Sequence, residues 1–364
     1  MNGFWSNLPK PFFALAPLED VTDAAFRRLI AKYSKYGGVE VVNKEGKFTH
    51  PHATLVGGPD VMFTEFTSAD GLLFAEGNGR KKLLKKLLYS ESERPIVAQL
   101  FSAVPERMEA AARIAAELGF DGIDINMGCP DRAVERGGCG AALIKNPALA
   151  RELIRAAKRG VHDVRFRKPN IPISVPYRLT KSIEPAVSIK TRIGYDKDEL
   201  DTWLPELLAE EPAAVTLHAR TRKEMSNVPA RWNTVLRAVK IRDALHSKTL
   251  IVGNGDVKDL DDARAKAEEN ECDGIMLGRA IFGNPSLFSN SYELENRKEA
   301  KVKTLVEHLT LFDELLSDAV SFSVMKRHFA SYISGWVGAK QLRMKLMSAE
   351  SVHEAHTLLR EVLA

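Results

Sequence analysis

Short runs of apolar residues, rich in β-branched side chains, alternate with longer amphipathic segments along most of the chain. Runs that end in glycine or a polar residue are typical of buried parallel strands. They predict strands at 11–16, 61–66, 95–101, 122–126, 186–192, 213–218, 249–253 and 274–278. Helical spacing of apolar residues is clearest at 106–118, 147–159 and 259–269. Because strand and helix alternate about eight times, the pattern predicts an α/β fold, a closed (β/α)₈ TIM barrel.

Three departures from this alternation shape the predicted organisation. Turn-rich segments at 37–60 and 161–184 are predicted to be long inserted loops. After Phe288 the strands stop, and residues 295–364 have helical spacing throughout. We therefore predict a barrel domain over 1–294 and a small C-terminal helical bundle domain over 295–364. An open doubly wound sheet is the structural alternative, although no GxGxxG follows the first predicted strand.

Composition narrows the class of protein. Apolar residues make up 45% and charged residues 27% of 364 residues, which is ordinary for globular proteins. The cysteines, Cys129, Cys139 and Cys272, form no CxxC pair, so neither a disulfide scaffold nor a metal site is predicted, and a reduced, cytoplasmic setting fits best. We see no signal peptide and no apolar run long enough for a membrane. The net charge of +4 permits a polyanionic partner without requiring one.

The residues that follow the predicted strands, few of them apolar, are expected to converge on one pocket of a barrel. They include Ala16, Pro17, Leu18, Glu65, Gln99, Asn126, Cys129, Lys190, Arg192, His218 and Arg220. The turn Asn254-Gly255-Asp256 after the seventh strand and Gly278-Arg279 after the eighth form a pattern typical of barrel phosphate sites. An isolated NGD would indicate only a turn, but the pair predicts a phosphorylated cofactor.

Three of these side chains have more than one chemical interpretation. Lys190 suits a Schiff base, a phosphate ligand or a cation beside a flavin ring, whose reduced form is anionic. His218 suits the same flavin role or that of a core histidine. Cys129, held by the following Pro130, suits a nucleophile or a proton donor.

The C-terminal segment combines cations with aromatic residues. Residues 320–349 contain no acidic residue. Their cations are Lys326, Arg327, Lys340, Arg343 and Lys345, and Phe329, Tyr332 and Trp336 lie among them. This combination is typical of an RNA-binding face. The alternative is a solvated helix face with the aromatic side chains in the core.

The ordered motifs resemble the tRNA-dihydrouridine synthase family. The resemblance covers about residues 11 to 345, and its most specific part is NMGCP followed by GGCG within 124–147. APLEDVTD (16–23), SIKTRIG (188–194), VTLHART (215–221) and GNGDV (253–257) are also similar to the family. The segment 325–346 is similar to the family's helical tRNA-binding domain.

The resemblance implies an FMN-dependent reduction of the C5–C6 double bond of uridine in tRNA, with NADPH as the transient reductant. It implies that Cys129 is the general acid that protonates C5, while C6 receives hydride from N5 of reduced FMN. The implied FMN-binding residues are Ala16, Pro17, Leu18, Gln99, Lys190, His218, Asn254, Gly255, Asp256, Gly278 and Arg279. Asn126, Arg192 and Arg220 are implied for the substrate, and Lys326, Arg327, Tyr332 and Arg343 for RNA. The expected protein is a monomer that binds tRNA and no membrane.

The sequence departs from the family at substrate-facing positions. Ser226 stands where a tyrosine usually packs on the extruded base, and Leu18 and Glu19 stand where methionine with a small residue is commoner. Two other functions stay open at this point: an FMN oxidoreductase of a small pyrimidine or other small molecule, and an RNA-binding protein that has lost catalysis. The basic C-terminal segment disfavours the first of these, and Cys129 with Lys190 and His218 disfavours the second.

Overall fold

The computed structural model describes residues 3–162, 175, 184–292 and 297–363. The predicted loop at 161–184 and the predicted domain boundary therefore lie largely outside the described residues. The strands are β1 (Phe12–Leu15), β2 (Met62–Phe63), β3 (Thr67–Ser68), β4 (Ile96–Phe101), β5 (Gly122–Met127), β6 (Ala186–Arg192), β7 (Ala214–His218), β8 (Leu250–Asn254) and β9 (Gly274–Leu277). The helices of the barrel are α1 (Ala24–Ile30), α2 (Ala69–Phe74), α3 (Gly77–Lys86), α4 (Pro105–Glu117), α5 (Arg132–Arg136), α6 (Pro147–Val161), α7 (Leu200–Leu208), α8 (Asn233–Ala244) and α9 (Leu260–Glu269).

All strand pairs are parallel, in the order β1-β9-β8-β7-β6-β5-β4-β2, with β3 also paired to β4. A parallel bridge between Ala14 and Val61 joins the two ends of this order, and Leu15 N donates to Val61 O at 3.0 Å. Since β2 and β3 occupy one position beside β4, the result is a nearly closed barrel of eight parallel positions. The predicted TIM barrel is confirmed; the single strand expected at 61–66 is instead two short strands.

Alternate residues of each strand point into the barrel, which follows from the two-residue period of a strand. Inward residues form one apolar cluster at the amino end, where the Trp5 and Phe12 rings lie edge to face with centroids 5.8 Å apart. Outward residues such as Ile123, Ile125 and Ile189 pack against the surrounding helices. The amino end of the barrel interior is therefore filled, which leaves its carboxyl end for polar chemistry.

The C-terminal helices are α10 (Lys298–Leu315), α11 (Lys326–Tyr332), α12 (Ala339–Ser348) and α13 (Val352–Leu363). They share one apolar cluster that also takes in Ala24 and Ala25 of α1. The helices predicted after the barrel are thus present and pack against it through α1. Among the described residues, no helix is both long and apolar enough to cross a membrane.

Candidate active site

The strand register brings polar side chains into the same inward layers. Gln99 of β4 pairs with Asp124 of β5, and Asp124 pairs with Ser188 of β6. One inward step further along, Asn126 of β5 pairs with Lys190 of β6. Because inward residues of paired parallel strands lie side by side, each layer collects side chains that are far apart in sequence.

The same rule continues around the barrel, where Arg192 pairs with His218, and His218 with Asn254. A cavity of about 740 Å³ opens at this end. Every residue predicted for catalysis, cofactor or substrate lines it: Ala16, Pro17, Leu18, Gln99, Asn126, Cys129, Lys190, Arg192, His218, Arg220, Asn254, Gly255, Asp256, Gly278 and Arg279. The structure therefore brings these residues to one cavity, and the role of each stays a prediction.

The loop after β5 holds Cys129 at the cavity wall. Asn126 Oδ1 accepts hydrogen bonds from the amides of Gly128 at 3.1 Å and Cys129 at 2.9 Å. From the other side, the amide of Ala141 donates to Cys129 O at 3.0 Å. Gly140 has a φ of +60°, and a Cβ there would lie 2.7 Å from Cys129 O. The glycine-rich segment therefore lets the backbone close onto the cysteine.

Burial raises the pKa of the Cys129 thiol. Arg192 acts in the opposite direction but is the weaker influence. The side chain is therefore a protonated thiol at neutral pH, with a proton to give. Cys139 and Cys272 are buried, and burial raises the pKa of each to about 11. Of these thiols, Cys129 is the one that faces the cavity.

Cationic side chains gather beside the cysteine loop, and burial weakens the hold of Lys190 and His218 on a proton. Burial lowers the pKa of Lys190 to about 8, with Arg192 acting in the same direction. The pKa of His218 lies well below its ordinary value because the ring is buried near Lys190 and Arg192. His218 is therefore neutral. Its Nε2 lies 3.1 Å from Arg220 Nη1, which can only donate, so Nδ1 carries the proton.

The turn after β8 carries a carboxylate between two arginines. Asp256 Oδ2 accepts from Arg220 Nη2 and from the amide of Ala230 at 2.9 Å, and Asp256 Oδ1 accepts from Arg279 Nη2 at 2.7 Å. The hydrogen bond from Arg220 holds the Asp256 pKa below its ordinary value. Gly255 precedes this residue with a φ of +129°, and a Cβ there would lie 2.8 Å from the Ala230 side chain. The turn is thus tight, cationic and open to the cavity.

Comparison with known proteins bears on what this cavity does. A family model described as dihydrouridine synthase matches residues 14–364. The chain belongs to the dihydrouridine synthase family. It is 37% identical over 358 residues to a probable tRNA-dihydrouridine synthase 2 of Bacillus subtilis (strain 168), covering 98% of this chain and 95% of that protein. A probable tRNA-dihydrouridine synthase of Staphylococcus aureus (strain COL) is 36% identical over 360 residues, with the same coverage.

The predicted dihydrouridine synthase membership and the FMN-dependent oxidoreductase function that belongs to it are confirmed. Solved structures give a distant likeness: a histamine dehydrogenase from Rhizobium sp. 4-9 is 13% identical, with a TM-score of 0.45 over 82% of this chain and 48% of that chain. At these values the likeness carries no argument about function.

The cavity of this family member fits the flavin that the family uses. Its volume of about 740 Å³ is ordinary for a cofactor site. The half-buried cation of Lys190 and the neutral imidazole of His218 line it. Arg279, which also lines it, is exposed beside Gly278, where a Cβ would have Ala16 and Leu18 as its nearest neighbours. Cationic and amide donors together with polar ring partners match a phosphate-bearing aromatic ligand.

Sequence reasoning missed several residues of the site. Asp124 and Ser188 lie one inward step behind Asn126 and Lys190, and the strand period that placed the latter pair could have found them. Glu19 and Phe66 also line the cavity. Phe66 had no sequence signal, whereas Glu19 belongs to the APLEDVTD motif. Lys86 of α3 pairs with Glu19 and lies 5.4 Å from the Phe66 ring centroid.

Three carboxylates meet beside this cavity. Oxygens of Glu19, Asp20 and Glu65 lie within 4.8 Å of one another. Lys86 pairs with Glu19, Arg327 pairs with Asp20, and Glu65 accepts from the Asp20 amide at 2.7 Å. Burial raises the pKa of Glu65 to about 8, so this carboxyl holds its proton at neutral pH. The cluster is already balanced by cations and a proton.

The residues predicted to bind RNA differ in their exposure to solvent. Tyr332 is 0% exposed within the helical core, so its prediction as an RNA contact is wrong. Lys326 and Arg343 are half-buried, and each donates a hydrogen bond to a backbone carbonyl at 2.7 Å. Arg327 is exposed, and its Nη2 donates to Asp20 Oδ2 at 2.8 Å. The three cations stay candidates for RNA contact, whereas the aromatic residue does not.

Proposed function

We propose that the protein is a tRNA-dihydrouridine synthase that holds FMN in the barrel cavity, is reduced by NADPH, and uses Cys129 as its general acid. One observation carries the proposal. The thiol of Cys129, kept protonated by burial, lines the same cavity as Lys190, His218 and the Asp256–Arg279 turn. A proton donor thus faces the polar groups suited to a flavin.

FMN, when bound, supplies the hydride that the uracil ring receives at C6. The residues of the protein bind the cofactor and orient it. Arg279, with the Gly278 and Gly255 amides, is suited to the phosphate, and Asp256 aligns Arg279 toward it. Lys190, which lines the cavity, would supply positive charge to the ring system, whose reduced form is anionic. His218 adds an Nδ1–H donor without adding charge.

Cys129 completes the reduction of the uracil ring. Hydride arrival at C6 leaves negative charge over C5 and O4 of the base, and the thiol gives its proton to C5. The S–H bond breaks as the C5–H bond forms, and the thiolate that remains regains a proton from solvent. Asn126 and Arg192 hold the ring. Arg192 is itself fixed, since its Nε donates to Gly128 O at 2.8 Å and its Nη1 to Thr221 O at 3.0 Å.

The substrate is tRNA, in line with the names of the relatives at 36–37% identity. A uridine inside folded RNA cannot reach the cavity, so it must be extruded. Lys326, Arg327 and Arg343 contact the phosphate backbone in this proposal, by salt-sensitive bonds. The protein acts as a monomer in the cytoplasm, where its unpaired cysteines stay reduced.

The test starts from the visible spectrum of the purified protein. We expect bound FMN that is bleached by NADPH under anaerobic conditions, and dihydrouridine in tRNA after turnover. Flavin that is reduced but gives no dihydrouridine, while free pyrimidines are reduced, would replace the proposal with a small-molecule oxidoreductase. Protein that binds no FMN on reconstitution would contradict it altogether.

A further inference from the structure

A chain of buried hydrogen bonds runs from the barrel interior to the cysteine loop. Gln99 Nε2 donates to Asp124 Oδ2 at 2.7 Å, and Asn126 Nδ2 donates to Gln99 Oε1 at 2.9 Å. Asn126 Oδ1 in turn accepts from the amides of Gly128 and Cys129. Gln99 and Asp124 are 0% exposed and Asn126 is 7% exposed, so water does not compete for these bonds.

The chain has a direction, and Asp124 sets it. An ionised carboxylate can only accept hydrogen bonds, so it fixes the NH₂ of Gln99 toward itself and the carbonyl of Gln99 toward Asn126. That carbonyl fixes the NH₂ of Asn126, which turns the carbonyl of Asn126 toward the cysteine loop. If Gln99 flipped, its NH₂ would oppose that of Asn126 and drive Asn126 to flip as well, and a flipped Asn126 would turn its NH₂ toward the backbone N–H groups of Gly128 and Cys129. Two donors would then oppose each other, and the loop would move.

We propose that Asp124 is a positioning residue for the general acid, acting through Gln99 and Asn126 to fix the backbone, and thereby the thiol, of Cys129. This inference rests on the role proposed above for Cys129. It assigns to Asp124 a part in the reaction although the residue is fully buried and does not line the cavity that Cys129 faces.

The surroundings of Asp124 keep it in the accepting form. Ser188 Oγ donates to its other oxygen, Oδ1, at 2.6 Å. Burial raises the pKa of Asp124 to about 6, against the hydrogen bonds from Ser188 and Gln99 and the nearby charge of Lys190. The group is therefore ionised at pH 7 to 8. Ser188 contacts the same carboxylate but lies outside the chain that leads to Cys129, which makes it a matched control.

The test compares Asp124→Asn with Ser188→Ala at pH 8. Asp124→Asn keeps the shape but removes the charge and adds a donor, so both amides of the chain can flip. We expect the rate at which the reduced enzyme forms dihydrouridine in tRNA to fall about tenfold or more. The charge-assisted hydrogen bond from Gln99 is replaced by a weaker, neutral bond that can form in either orientation of the two amides. The rate at which NADPH reduces the flavin should fall much less than the rate of product formation, because that half-reaction uses no thiol and can change only through Gln99, which also lines the cavity.

A second readout does not depend on the proposed function. Alkylation of Cys129 by iodoacetamide, followed by mass spectrometry of its peptide, reports the position and ionisation of the thiol. We expect it to be several-fold faster in Asp124→Asn, since a displaced thiol loses the burial that raises its pKa, and unchanged in Ser188→Ala. Gln99→Met removes both side-chain bonds of the chain without adding a charge beside the thiol and should also speed alkylation, which decides the matter if Asp124→Asn fails to fold.

Equal alkylation and equal product formation in Asp124→Asn and Ser188→Ala would overturn the inference. A wild-type protein that forms no dihydrouridine would instead overturn the proposed function, and the alkylation comparison would still test the hydrogen-bond chain. Loss of flavin together with a lowered melting temperature, at unchanged Cys129 reactivity, would assign Asp124 a structural role alone.

Discussion

At the scale of single residues, the chemistry of the site comes from environment more than from residue type. An exposed cysteine thiol has a pKa near ~8.5 and becomes a thiolate beside cations. Here Arg192 lowers the pKa of Cys129, but burial raises it by more, so the thiol stays protonated. The same burial makes His218 neutral and weakens the proton affinity of Lys190. Burial in the same cavity therefore makes Cys129 an acid and His218 a neutral hydrogen-bond donor, and it leaves Lys190 a weakly held cation.

Cys129→Ala removes the proton donor and should leave the flavin bound. General acid catalysis contributes roughly 10²–10⁴-fold, so we expect at least a hundredfold loss of dihydrouridine formation with an unchanged visible spectrum. Cys139→Ala is the control, because Cys139 is buried outside the cavity. A colourless Cys129→Ala protein, or one with normal turnover, would contradict the assignment.

At the scale of elements, the segment after β5 is built so that backbone can lie against backbone. Gly140 sits at a positive φ directly on the carbonyl of Cys129, and the amide of Ala141 closes the contact. A side chain at Gly140 would have to displace main chain, which cannot rotate away as a side-chain tip can. The motif therefore acts on Cys129 by steric fit.

Gly140→Ala should lower both stability and turnover. A positive φ alone costs an L-residue about 1–2 kcal/mol, and the contact at 2.7 Å adds to it. Gly77→Ala separates the two causes, because Gly77 has a φ of +53° and nothing within 4 Å of the added Cβ. We expect urea unfolding midpoints to fall for both variants, more for Gly140→Ala, with slowed dihydrouridine formation in that variant alone. Equal effects would show that strain, not contact, matters.

At the scale of the whole molecule, barrel and C-terminal helices meet around buried histidines. The His308 ring stacks on Phe26 of α1 with centroids 4.8 Å apart, and His328 meets both rings edge on. Neither nitrogen of His328 has a hydrogen-bond partner among the described residues. Burial, with a smaller contribution from Arg327, lowers the pKa of His328 to about 3. The contact thus requires neutral imidazoles.

This burial predicts how stability depends on pH. Below pH 6.5 the unfolded chain protonates His328 while the folded chain does not, so stability is full above 6.5 and falls as the pH drops toward 3. The loss is at most about 1.4 kcal/mol per pH unit for this residue. His328→Leu should make the free energy of unfolding in urea fall less steeply between pH 6.5 and 4.5. His353→Leu, at an exposed position of α13, is the control, and equal slopes would refute the prediction.

The cations of α11 lead to a prediction about RNA. Reversing both charges, Lys326→Glu with Arg327→Glu, should weaken tRNA binding and reduce its salt dependence by roughly one unit of slope for each lost phosphate contact. Lys240→Glu with Lys248→Glu makes the same charge change at exposed positions elsewhere.

Because Arg327 pairs with Asp20, the first double variant also breaks a contact between barrel and helices. Asp20→Asn removes that pair while keeping the cation, so it isolates the structural effect. The measurement is tRNA binding of each variant, followed by fluorescence anisotropy over a range of salt concentrations. Equal binding in the two double variants would contradict an RNA face at α11.

Much of this protein is determined by local sequence pattern. Short apolar runs with polar residues at their ends, alternating with helical segments, predict the barrel, its carboxyl-end pocket and the residues that line it, because the ends of parallel strands converge in a barrel. The same local logic could have found Tyr332 in the core. Phe329 and Tyr332 are three residues apart, as residues on one helix face are, and both side chains are fully buried.

Tertiary structure alone decided the properties that depend on distant contacts. The pKa of Cys129 follows from burial by several segments, Arg327 finds its partner near the amino end of the chain, and Asp124 reaches Cys129 only through a neighbouring strand. Desolvation and hydrogen-bond direction are set by what surrounds a group in space. Residue type and spacing specify which groups arrive, but only the packed fold specifies which of them touch.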